Sequence, residues 1–200
     1  MANITFNPAL TLSPQNSILL ETQGWYQGAV MDDPTSRLQL VSAIVASTVT
    51  QPMWGGMAVT ESVASIASNN RQGNPITIAA TNAAITAFTV FNQANNAITV
   101  PGNSVPIYTA GSNMAIFRLG SNIRIPVQAD TGLITALEGG ATNQQVSWDF
   151  TNQALTTYSS GAGALPVKVL AVNANSRIVS YNSTTGLVSW MVGNAVLIQI

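Results

Sequence analysis

Ile123-Arg124-Ile125-Pro126-Val127-Gln128 alternates apolar and polar residues, placing Ile123, Ile125 and Val127 on one face of an extended chain and Arg124 on the other. Pro126 has no backbone N–H to give a ladder, so this strand belongs at a sheet edge or at a bulge. The same pattern repeats on both sides of it. Short runs rich in β-branched residues recur at Ile76 to Ala80, Ile85 to Phe91, Ala97 to Val100, Val105 to Tyr108, Met114 to Leu119, Gln145 to Phe150, Leu165 to Val172, Arg177 to Tyr181, Leu187 to Val192 and Ala195 to Ile200. Turn formers separate them, among them Pro101-Gly102-Asn103, Gly120-Ser121-Asn122, Gly139-Gly140, Asn173 to Ser176, Asn182 to Gly186 and Gly193-Asn194. Many short strands without amphipathic helices between them predict an all-β fold, a jelly-roll or a β-barrel/sandwich head. The apolar ending Val196-Leu197-Ile198-Gln199-Ile200 predicts a last strand paired inside the sheet.

Toward the N-terminus the pattern loosens. Leu38 to Val49 favours strand, although Ala43 and Ala46 leave helix open. Pro52 and Gly55-Gly56 break the chain, Val59 to Ser68 is the most helix-like stretch, and Asn69 to Pro75 reads as a loop. Residues 1–24 carry Pro8 and Pro14 among paired apolar residues and predict an extended N-terminal arm, leaving 25–200 as a single β-rich domain. Trp25 and Tyr26 follow the arm directly, as either a core anchor or an interface anchor.

Charge is scarce. Six Lys and Arg stand against seven acids, and charged residues make up 6% of the chain where about 25% is ordinary. Polarity comes instead from Asn, Gln, Thr and Ser, 70 of the 200 residues, which form hydrogen bonds without self-repulsion. A surface of that kind tolerates close packing against neighbours. Six scattered cations give no clustered footprint for nucleic acid. The longest apolar stretch, Leu38 to Val49, is too short to span a bilayer, and Met1-Ala2-Asn3-Ile4 does not begin a secretory signal. The expected partners therefore include neither nucleic acid nor membrane, and the protein is expected to act where it is made or in something assembled there.

The chain has no Cys and no His, which removes thiolate chemistry, the commonest general base and the commonest transition-metal ligand. Asp130-Thr131-Gly132 is the tripeptide that carries the catalytic carboxylate of retroviral-type aspartic proteases, with Met191-Val192-Gly193 as a counterpart of their later apolar-apolar-Gly element. Its flanks Gln128-Ala129 and Leu133 depart from that motif, and Asp-Thr-Gly is also an ordinary turn. Asp32-Asp33 before Pro34 reads as a turn or cap, and Gly161-Ala162-Gly163 as a hairpin connection. Trp54, Trp148 and Trp190 read as core, with a sugar-stacking platform as the alternative. No catalytic residue, cofactor or metal site is expected.

The strand Ile123 to Gln128 after a glycine turn, the Gly139-Gly140 turn before Val146-Ser147-Trp148, and the closing run from Leu165-Pro166-Val167-Lys168-Val169 to Gly186-Leu187-Val188-Ser189-Trp190 resemble the cement or decoration proteins that lock tailed-bacteriophage heads. The resemblance spans Gly120 to Ile200. It implies a structural, non-enzymatic virion protein on the outer capsid surface, assembled in the host cytoplasm, whose partners are the major capsid protein and itself as a homodimer or homotrimer. Ile4, Phe6, Leu10, Leu12, Trp25 and Tyr26 are the expected partner contacts. The alternative functions are a glycan- or receptor-binding virion module, which requires aromatic and amide side chains in one cleft, and a dimeric aspartic protease using Asp130.

Overall fold

The computed structural model describes residues 24–31, 35–62, 73–91, 105–140, 145–161 and 163–200. The described chain is all-β with a single α-helix. Five strands close a barrel in the order β1-β3-β2-β4-β5: β1 (Val41–Val45), β2 (Ala58–Glu61), β3 (Asn74–Ile78), β4 (Ala87–Thr89) and β5 (Asn113–Arg118). All neighbours are antiparallel except β1 and β3. A second sheet has the order β6-β10-β9, from β6 (Arg124–Gln128), β10 (Leu187–Gln199) and β9 (Lys168–Asn182). Helix α1 (Thr131–Glu138) and the hairpin of β7 (Val146–Asp149) and β8 (Ala154–Thr157) complete it.

Period-two alternation divides the barrel strands between two cores. Val59, Ile76, Ala87, Met114 and Ile116 turn inward and pack with Met53, Trp54, Met57 and Tyr108. Ala58, Phe88 and Phe117 are cross-strand partners of one another, so they form a row on the other face. That row joins Ile125, Val127, Leu133, Trp148, Leu155, Val196 and Ile198 in the core between the barrel and the second sheet. Phe88 meets Trp148 edge-on, ring centres 5.3 Å apart. Strands β2, β4 and β5 are thus covered on both sides. This explains why Val59, the start of the most helix-like stretch, lies in a strand: closing the barrel outweighs a weak local preference.

Buried polar groups tie the layers together. Thr89 accepts from the Met57 N–H at 2.8 Å and donates to the Trp54 carbonyl at 2.6 Å. Asn82 donates to the Gly163 carbonyl at 2.7 Å and accepts from the Trp148 N–H at 3.0 Å, coupling a barrel turn to the β7 strand. Gly163 is therefore a tether, since Ser147 also donates to its carbonyl, and the predicted hairpin connection is absent because β8 and β9 belong to different sheets.

Glu61, Asn74 and Arg118 occupy inward register positions at the ends of β2, β3 and β5, and together they close one mouth of the barrel. Arg118 grips Glu61 with two hydrogen bonds, 2.7 Å from Nε and 2.6 Å from Nη2, and Asn74 adds a third at 2.8 Å. The Arg118 hydrogen bonds are the main reason the Glu61 carboxyl lies below its ordinary value of 4.5, with burial opposing them and Asn74 and the Arg118 charge assisting. A depressed carboxyl stabilises the fold fully above the unfolded value, and that stabilisation is lost as pH falls through the folded one. Glu61→Gln should therefore cost about 1 kcal/mol at neutral pH. The deficit should shrink as pH drops below about 4.3, which urea titrations at stepped pH would read.

In the second sheet, β6 is an edge strand, as Pro126 predicts, and β10 is the central one, as the apolar ending predicts. Ile200 continues it: its N–H donates to Ile123 and its carbonyl accepts from Asn122. Two predicted turns are absent. Asn173 to Ser176 and Gly193-Asn194 face each other inside one long ribbon, where Ala174 and Asn175 oppose Asn194 alone, so the turn formers make a β-bulge. A second irregularity leaves Leu170 as the extra residue between the pairs Leu197–Ala171 and Ile198–Val169.

Helix α1 replaces the turn predicted at Asp130-Thr131-Gly132. The Asp130 carboxylate accepts from the Leu133 N–H at 2.6 Å and caps the helix, whose Leu133 and Ile134 enter the core.

Candidate functional site

Two surfaces stand out: the long ribbon with the segment that leads onto it, and the turn joining β7 to β8. Residues 24–31 run between the barrel and the second sheet. Tyr26 pairs in parallel with Arg177 of β9, and the Gly28 N–H donates to the Pro126 carbonyl at 2.7 Å while its own carbonyl accepts from Phe91 at 2.6 Å. Gly28 has φ +73°, and a Cβ there would stand 2.4 Å from the Gly55-Gly56 peptide, so only glycine fits this crossing.

Of the expected contact residues, Ile4, Phe6, Leu10 and Leu12 lie outside the described residues. Trp25 is half-buried, with its N–H donating to Ser176 Oγ at 3.0 Å and its carbonyl accepting from the Arg177 N–H at 2.7 Å. Tyr26, also half-buried, joins a ring cluster with Trp190 at 5.4 Å and Phe91 at 6.3 Å. This pair fastens the chain at residues 25–26 to the edge of β9.

The ribbon carries four of the six large apolar side chains exposed among the described residues: Leu170 (45%), Leu187 (57%), Met191 (45%) and Val192 (52%). Leu170 is exposed because the irregularity in β9 leaves it without a cross-strand partner. Met191-Val192-Gly193, read in sequence beside Asp130-Thr131-Gly132, belongs to this exposed strand and to its bulge.

Around the β7–β8 turn, burial raises the Asp149 carboxyl, but hydrogen bonds outweigh it and hold the group below its ordinary value. They come from the Asn152 side chain at 2.7 Å and the backbone N–H groups of Asn152 and Thr151 at 3.1 and 2.8 Å. Gln153 follows with φ 51°, a left-handed conformation uncommon outside glycine. Its buried amide accepts from Trp148 Nε1 at 3.2 Å and donates to the Phe150 carbonyl at 2.9 Å. Trp148 is thus a core ring with its polar edge satisfied.

Among the described residues no three His, Cys, Asp or Glu side chains come together as a metal-holding group, and no helix is long and apolar enough to cross a membrane. Asp32-Asp33 lies outside them. Set beside family models, characterised proteins and solved structures, the chain matches none.

Proposed function

We propose that this is a structural capsid cement or decoration protein, which binds the outside of a viral shell and stabilises contacts between major capsid proteins. The observation that carries the reading is the ribbon: four large apolar side chains stand exposed on two adjacent strands of a protein with 6% charged residues. Apolar side chains exposed on both faces and at both ends of one ribbon offer contacts to more than one neighbour, and scarce charge removes the repulsion that keeps copies apart. The position of Trp25 and Tyr26 adds to it, because the chain is fastened at the edge of β9 there, opposite the Arg177–Val192 pair of the ribbon. Each contact in such a lattice would bury about 800 Å² per partner, with repetition supplying avidity.

Deleting residues 1–23 should leave a soluble β-rich head that no longer co-sediments with expanded shells. Leu170→Glu with Val192→Glu should weaken the same docking while leaving the unfolding midpoint within experimental error, because both side chains are exposed and Val192 stands opposite Arg177. Full docking by both proteins would count against the reading.

A further inference from the structure

A cleft of about 170 Å³ opens where the barrel, the ribbon and the β7–β8 turn meet, lined by Gln51, Trp54, Gln128, Asn152, Gln153 and Tyr181 among others. Among the described residues no Asp, Glu, Lys or Arg lines it. The side-chain amides of Gln51 and Gln128 are half-buried and bond to no other described residue, so each brings unused donors and acceptors. Trp54 is 2% exposed and its indole N–H is buried without a hydrogen-bond partner among the described residues, although its ring packs on Tyr181 at 5.6 Å. The indole is therefore a fixed wall of the cleft, and the free polar groups that face a ligand are the glutamine amides. The turn forming one wall is held in place beforehand: Asp149 fixes Thr151 and Asn152, and Gln153 keeps its left-handed backbone under two side-chain hydrogen bonds. Backbone strain of this kind gathers at ligand sites, where neighbours over-determine it.

We propose that this cleft binds one neutral sugar ring through its side-chain amides, with the Trp54 and Tyr181 rings in its wall. Hydroxyls both donate and accept, matching amides that do the same. An ion would be desolvated with no counter-charge, and an apolar ligand would strand the amides. The space suits a single ring, below the roughly 300 Å³ at which drug-sized pockets begin. The inference is independent of the capsid reading, since of the exposed ribbon residues it shares only Met191.

The test is a titration of the ¹⁵N-labelled full chain with the methyl glycosides of glucose, galactose and mannose and with N-acetylglucosamine, each to about 50 mM, a range suited to dissociation constants near 1 mM. The Trp54 indole resonance, assigned by its loss in Trp54→Phe, should shift saturably with at least one sugar. Gln51→Ala with Gln128→Ala should weaken that binding at least about tenfold without moving the unfolding midpoint. The proposal is overturned if none of the four sugars gives a saturable shift, if the double substitution leaves the affinity unchanged, or if acetamide shifts the resonance and the sugars do not.

Discussion

Phe88→Ala should lower the free energy of unfolding by about 3–5 kcal/mol, the range for deleting a fully buried aromatic ring. Phe88 is wholly buried and stands in the middle of the row Ala58–Phe88–Phe117, with Trp148 against its edge. The row is the seam between the barrel and the second sheet, so its removal loosens both cores. Natural domains hold only about 5–15 kcal/mol in all, and the variant should therefore unfold at far lower urea, still in one transition. Loss of under about 1 kcal/mol, or separate unfolding of barrel and sheet, would mean that the seam does not couple them.

Removing residues 195–200 should abolish folding altogether. Ala195, Val196, Leu197, Ile198 and Ile200 are all buried, and Ala195 to Gln199 supply every Cα partner of β6. Several core side chains at about 2–5 kcal/mol each exceed the whole stability of a domain. The truncated chain should be insoluble or lack a cooperative melt, as circular dichroism would record. A well-folded product would displace β10 from the centre of the sheet.

Local chemistry made much of this fold legible. Pro126 predicts an edge because a missing N–H is a property of one residue, and β6 is an edge. The bulged ribbon was not legible, because Asn173 to Ser176 and Gly193-Asn194 look like strand ends until each is known to face the other. Helix α1 hides behind Gly132, yet Asp130 at the cap with Leu133, Ile134 and Leu137 in helical spacing was a usable signal. Strand β8 was missed because Ala154-Leu155-Thr156-Thr157 is short and shows no clean alternation. The cleft could not be read at all: its lining comes from Gln51 and Trp54, Gln128, the 151–153 turn, 179–181 and Met191, five places that only the closed barrel and the folded ribbon bring together.

The proposed capsid role holds that neighbours cover this low-charge chain and its exposed ribbon when it works. A cryo-EM map of the assembled particle tests that most directly. The expected map shows this barrel in repeated copies outside the shell, with the β9–β10 ribbon against capsid protein or a second copy. A map without the chain, or one in which the ribbon faces open solvent in every copy, would contradict it.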